Sequence, residues 1–280
     1  MKIIFLSFGF FLFFYTVNAQ NFHLDFFAGT SNYRGDLQNN GFPFNQAHFA
    51  GGVGLSYDLN EHFSLRTGLT LGRVSANDKY GKNKARNLNF TSNITEGNLE
   101  LQYFITPLLQ HSLTPYVFAG IAVFHFDPYT YDTTGKKYYL KPLSTEGEGF
   151  LPGVKNYNLT QMAIPYGAGV KLNLSDDINV GLEVGFRKLF TDYLDDVSTN
   201  YVDESLLLAN RGATAVELAY RGNELKNGVQ TYPAAGSKRG SPKGKDMYYF
   251  TGLTLSFRLG SGDHSGSGRH SEWACPKNVL

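Results

Sequence analysis

The chain is poor in sulfur: 280 residues include one cysteine, Cys275, and three methionines. A lone thiol excludes an internal disulfide framework, so packing and hydrogen bonding must hold the fold. Charge is also scarce. Charged residues make up 18% of the chain and the formal net charge is +1, which removes the electrostatic ground for nucleic acid as a partner. The seven histidines are scattered, His62 and His111 in predicted turns and His264 and His270 near the C-terminus. They form no metal-spaced cluster, and no phosphate-cradling loop accompanies them. His125 and Asp127 have the chemistry to orient a serine, but no serine stands near them in a nucleophile context. Catalysis, cofactor and metal are therefore all expected to be absent. Beyond residue 19 no apolar run is long enough for a membrane-crossing helix.

Glycine and aromatics are abundant, with 31 Gly, 23 Phe and 18 Tyr. That mixture suits strands that carry rings and bend at glycines. The first residues, "MKIIFLSFGFFLFFYTVNAQ", read as a secretory signal peptide over 1–19. Lys2 supplies the positive end, Ile3 to Val17 the apolar stretch, and Val17-Asn18-Ala19 the small-residue cleavage site. With no cysteine following, lipoprotein processing is not expected.

Period-two alternation then recurs eight times, over 21–30, 49–59, 63–73, 94–105, 114–126, 161–174, 178–190 and 247–260. In 63–73, Phe63, Leu65, Leu69 and Leu71 face one way, against Ser64, Arg66, Gly68, Thr70 and Gly72. Short turns (60–62, 106–113, 175–177) alternate with long polar connections (31–48, 74–93, 127–160, 191–246). Short and long ends alternating over an even number of strands predict an all-β fold, an eight-stranded antiparallel outer-membrane β-barrel over 20–259 with long external loops. A soluble barrel of the lipocalin kind would turn its apolar face inward. Here the face opposite the apolar one carries charge, and rings (Tyr57, Phe63, Tyr103, Phe257) gather near strand ends as interfacial girdles do.

The predicted lumen holds Arg66, Glu96, Glu100, Lys171, Glu183, Arg187 and Arg258. Charges in so narrow an interior persist when paired, so a salt-bridged filling is expected in preference to an ion path. The stretch "GFRKLFTDYLDDVS" (185–198) leads out of the seventh strand. Its aspartates lack the alternation of a calcium loop. The expected reading is a structural rim, with Asp192 as a helix N-cap and Asp195 and Asp196 in the first turn. Residues 260–280 form a periplasmic tail whose Gly/Ser-rich start is a flexible linker. Beyond it, Trp273, Cys275 and Pro276 are candidate partner contacts.

Several segments in order carry a resemblance: "AGTSNYRGDLQ" (28–38), "LSYDLNEHFSLRTGLTLGRVSANDK" (55–79), "RNLNFTSNITEGNLELQY" (86–103), "TPYVFAGIAVFHFDP" (114–128), "LKPLSTEGEG" (140–149), "FRKLFTDYLDDVSTNYVD" (186–203), "RGSPKGKDMYYFTGLTLSFRL" (239–259) and the terminal "CPK" (275–277). Together they resemble the PorG-type outer-membrane barrel of the type IX secretion system of Bacteroidota. The resemblance implies a non-enzymatic barrel in a Gram-negative outer membrane, with both termini periplasmic. Its implied partners are outer-membrane lipid and a periplasmic ring built from a lipoprotein and a soluble subunit. The system it implies exports adhesins, hydrolases and gliding-motility proteins, and Cys275 matches the family's cysteine implicated in contact with the ring lipoprotein. The Gly/Ser-rich 260–268 departs from that pattern. A free-standing small barrel of the OmpA or porin kind is the alternative.

Overall fold

The structure is a computed structural model, described for residues 21–38, 44–107, 112–242 and 244–260. Eight long strands form the wall: β1 (Phe22–Arg34), β2 (His48–Asp58), β3 (Phe63–Asn77), β4 (Asn89–Phe104), β5 (Leu113–Phe126), β8 (Thr160–Asn173), β9 (Ile178–Leu189) and β10 (Met247–Arg258). Each pairs antiparallel with the next, β1 pairs with β10, and β3 pairs with β4, so the sheet closes into an eight-stranded barrel. Closure leaves no edge of unpaired backbone groups, which is the condition for a sheet to sit in lipid. Inside the connection from β5 to β8, a small hairpin of β6 (Tyr129–Tyr131) and β7 (Lys137–Tyr139) joins the wall through Thr91 and Tyr129. The longest connection contains α1 (Glu204–Arg211) and α2 (Ala213–Ala219).

Side-chain direction along the strands explains how the barrel is filled. In its lower half, toward the short turns, apolar residues point outward: Leu69 is 61% exposed, Leu182 58% and Leu253 55%. Facing in at that level are Arg66, Glu100, Glu183 and Lys171, all buried or nearly so. Above Gly72 the alternation inverts. Val74, Ala76, Phe90 and Ile94 now point inward and are buried, while Arg73, Ser75, Asn93 and Thr91 take the outer face. The inward apolar residues join Phe124, Phe126, Leu189 and Phe250 and the loop residues Leu37, Leu140, Leu194 and Val197 in the main hydrophobic core. This core fills the upper barrel like that of a soluble protein. The lower half is built the other way round.

The inversion accounts for two differences from the sequence-based expectation. Strand β3 continues to Asn77 and β4 begins at Asn89, still in register, where alternation alone ended them at 73 and began them at 94. The apolar face had changed sides, which reads locally as a break in pattern. The loop between them is correspondingly short. At the turn end, Phe63 packs on Tyr103 (ring centroids 5.1 Å) and Phe22 on Tyr57 (4.8 Å), forming part of an aromatic border below the apolar belt. His23 pairs with Arg258 there, so the described chain enters and leaves the barrel on the short-turn side.

Outward charge should be costly in the belt and tolerated above it. In lipid vesicles Leu182→Arg is expected to lower unfolding free energy by about 2–4 kcal/mol, and Thr95→Lys by about 0–1 kcal/mol. Equilibrium urea unfolding of the two variants checks the boundary.

Candidate functional site

Across the lower lumen two guanidinium groups hold three glutamates. Arg66, on β3, donates from Nε to Glu100 Oε2 on neighbouring β4 (3.0 Å). It also reaches across the barrel to Glu183 on β9 with Nη1 (2.6 Å) and Nη2 (3.0 Å). Arg187, also on β9, grips Glu96 on β4 with Nε and Nη2, each at 3.0 Å, and lies 3.8 Å from Glu100. Tyr116 donates to Glu183 (2.7 Å) and Tyr248 to Glu96 (2.6 Å). The cations also rest on ring faces, Arg66 over Phe118 and Arg187 over Phe250. Small residues make the room. A Cβ on Gly185 would come 2.4 Å from Arg187 Nη1, and one on Gly169 2.6 Å from the Tyr116 ring.

Two predicted lumen cations lie outside this network. Lys171 is buried but meets an amide and rings in place of a carboxylate: its Nζ donates to Gln102 Oε1 (3.3 Å) and sits over Phe104 and Tyr116. Arg258 forms no ion pair among the described residues, and its Nε has no hydrogen-bond partner among them. It stands half-buried at the open turn end, where water can solvate the charge. Sequence parity identified Arg258 as inward-facing but carried no information on depth. Asp25 and Asp58, also inward there, bond to Ser256 and His23. His125 faces outward at the rim and bonds Thr160 Oγ1 (3.0 Å). Cys275, Trp273 and Pro276, like the predicted signal peptide over 1–19, lie outside the described residues.

Above the apolar core the loops knit a cap, and here the aspartates of 192–196 depart from the helix expectation. Residues 191–203 contain no helix. Asp196 adopts a left-handed backbone (φ 62°) that ends any helical turn, and all three aspartates are buried. Each accepts hydrogen bonds: Asp192 from Ser198 Oγ (2.8 Å), Asp195 from Val197 N (2.9 Å), and Asp196 from Thr145 Oγ1 and Tyr157 Oη (both 2.7 Å). The helix starts later, at Glu204, where Asp203 caps Leu206 N and Gly212 supplies the positive φ that ends it. The reading of Asp192 as the cap passed over a later cap–helix–stop signal in Asp203, the run "ESLLLANR" and the following glycine.

Arg239 ties the cap together, donating Nη1 to Glu146 (2.9 Å) and to Asp196 O (2.6 Å), and Nε to Ala219 O (3.2 Å). Carboxylates outnumber cations inside the cap. Burial pushes the Glu148 carboxyl up to about 8, with the charges of Asp196 and Glu146 adding to it, and burial pushes Asp196 up to about 6. Asp195 and Asp246 are raised for the same leading reason, burial. The geometry around Tyr33 suits a stored proton. Tyr33 Oη lies 2.6 Å from Asp195 and 2.8 Å from Asp246, and one phenol proton serves one of them. The second contact is a hydrogen bond when that carboxyl is protonated. Among the described residues no group of His, Cys, Asp and Glu is arranged to hold a metal ion.

An apolar belt outside, a paired charge network inside and a closed eight-stranded wall define an outer-membrane-type β-barrel with a filled lumen. The chain belongs to the family described as Domain of unknown function (DUF6089), whose model matches residues 2–211. Comparison with curated proteins gives no match. Among solved structures, the chain is similar to Neisserial surface protein A, with 9% identity and a TM-score of 0.42 over 85% of this chain and 97% of that one. It is also similar to the outer membrane protein OprG of Pseudomonas aeruginosa (8% identity, TM-score 0.40, 86% and 98% covered). Ail of Yersinia pestis follows at 8% identity and a TM-score of 0.38, with 84% and 97% covered.

Removing Arg66 strands two carboxylates in the lumen, so Arg66→Met should cost about 3–5 kcal/mol in urea unfolding from detergent micelles. Adding Glu100→Gln and Glu183→Gln to that variant should recover most of the loss. The cap should weaken as pH rises. Its raised carboxyls keep protons that the unfolded chain, titrating near 4, gives up. The Glu148 contribution is therefore full below about pH 4 and is lost as pH climbs through about 8. Hydrogen exchange over 191–201 should lose protection by about tenfold per pH unit for each proton held, with Glu148→Gln shallower than wild type.

Proposed function

We propose that this protein is a non-enzymatic outer-membrane barrel that works through its surfaces, as the barrel component of a type IX protein secretion machine. In this reading it sits in the outer membrane with both termini periplasmic and docks on the periplasmic ring of a lipoprotein and a soluble subunit. The observation that carries the surface role is the filled lumen: Arg66 and Arg187 pair with Glu96, Glu100 and Glu183 beneath an apolar core. A barrel so filled contributes through its rim, its turns and its tail. The exposed apolar belt supports lipid as its immediate surroundings. The ordered segments shared with PorG-type barrels, ending in Cys-Pro-Lys at 275–277, support the secretion assignment.

In that assignment the tail after residue 259 is the contact, with Trp273 as an apolar anchor, Pro276 as a stiffener and Cys275 as the thiol that meets the ring lipoprotein. Purification of the tagged full chain from its native membrane in mild detergent, with identification of co-purifying proteins, tests this directly. The ring lipoprotein and its soluble partner should come along, and Cys275→Ser should remove a linked species from non-reducing gels and weaken the attachment. Recovery of the barrel alone, even after cross-linking in the cell, contradicts the reading and favours a free-standing small barrel.

A further inference from the structure

On the long-loop side a polar groove of about 910 Å³ opens beside the top of the β1–β10 seam, where Arg34 pairs with Met247. Four separate segments build it: the end of β1, the β3–β4 loop, Tyr201 ahead of α1, and the stretch after α2. Its floor is fixed. Arg86 is gripped by Asp78 through Nε and Nη2, both at 2.7 Å, and donates Nη1 to the Arg239 carbonyl, while Arg239 is held by Glu146. Those two charges are neutralised within the protein.

The rim differs. Arg34, Lys82, Lys238 and Lys245 are all exposed, line the same groove, and have no carboxylate within ion-pair distance among the described residues. Asp36 is the one lining carboxylate among the described residues, and its Oδ2 already accepts the Ser241 amide at 2.6 Å. Four like charges converging from three segments repel one another, and the rigid floor keeps those segments together. The arrangement is stabilised by whatever anion enters it. A groove of this volume suits a sugar phosphate or a phosphorylated headgroup, since ligand pockets run to about 300–1,000 Å³.

We propose that this groove is a binding site for a phosphoryl group, held by Arg34, Lys82, Lys238 and Lys245. Two sources share that chemistry: the phosphorylated sugar headgroup of an outer-leaflet lipid, and a free phosphate or pyrophosphate. The first rests on the outer-membrane location given under the proposed function, because the long-loop side on which the groove opens then faces the outer leaflet. The second does not rest on it.

The test is titration of the detergent-solubilised full chain with diphosphorylated lipid A, with its dephosphorylated form, and with inorganic pyrophosphate. Diphosphorylated lipid A should bind and the dephosphorylated form should not, with affinity falling as salt rises. The variant Arg34→Gln/Lys82→Gln/Lys245→Gln should lose affinity by about tenfold or more, each lost cation–phosphate contact contributing. All three side chains are exposed, so the variant should keep the heat-modifiable gel migration of a folded barrel. Lys136→Gln/Lys137→Gln, on the β6–β7 hairpin, should bind as wild type does. Binding of pyrophosphate but not of lipid A, lost in the triple variant, supports the site and assigns it a free anion. Two results overturn the proposal: no phosphorylated probe binds the wild type, or the folded triple variant binds as the wild type does. Neither bears on whether ring subunits co-purify.

Discussion

Glu96, Glu100 and Glu183 stand inside a barrel too narrow for bulk water, and two arginines make that position tenable. Arg66 bridges β3, β4 and β9, and Arg187 bridges β9 and β4, so the bonds cross the lumen as well as running along the wall. Removing either cation strands carboxylates in low dielectric, and removing a carboxylate strands a cation. The network is therefore held as a unit. Around it, glycines on the facing strands leave space for guanidinium and phenol groups, and Tyr116, Tyr248 and Asn98 donate further hydrogen bonds to Glu183 and Glu96. The same strands turn apolar side chains to the belt outside and the charged side chains of this network inward.

Above Gly72 the same strands serve a different solvent. Apolar residues turn inward and meet loop side chains, and the upper barrel acquires a core of the soluble kind. The chain is thus two constructions on one sheet: a membrane half organised by ion pairs and a water-facing half organised by apolar packing. The cap depends on the upper half. Its loops cover buried carboxylates whose protons they retain, and Arg239 links the sequence-distant segments 144–148, 192–199 and 219–240. The long loops form a folded cover with defined contacts, including two helices and a strand hairpin.

How much of this could be read from the residues depends on the range of the interaction. Strand number, order and face came from period two, a local signal, and the inward position of Arg66, Glu100, Glu183 and Arg187 came with it. Pairing across the lumen depends on register and on strand neighbours far apart in the chain, and alternation carries neither. Arg258 shows the limit: its face was legible, its depth was not. The aspartates of 192–196 show another. Their spacing suits a helix start, yet burial beneath Thr145, Tyr157 and Ser198 decides their conformation, and those contacts come from other segments. The extension of β3 and β4 was hidden because a strand passing from lipid to water reverses its pattern without ceasing to be a strand.

The lower lumen is closed by a paired charge network under an apolar core. Single-channel recording of the purified full chain in a planar lipid bilayer tests it most directly. A filled barrel gives no steady conductance, and the loss of Arg66 in Arg66→Met introduces intermittent openings by loosening the network. Large, stable, ohmic steps from the wild-type protein would contradict the account.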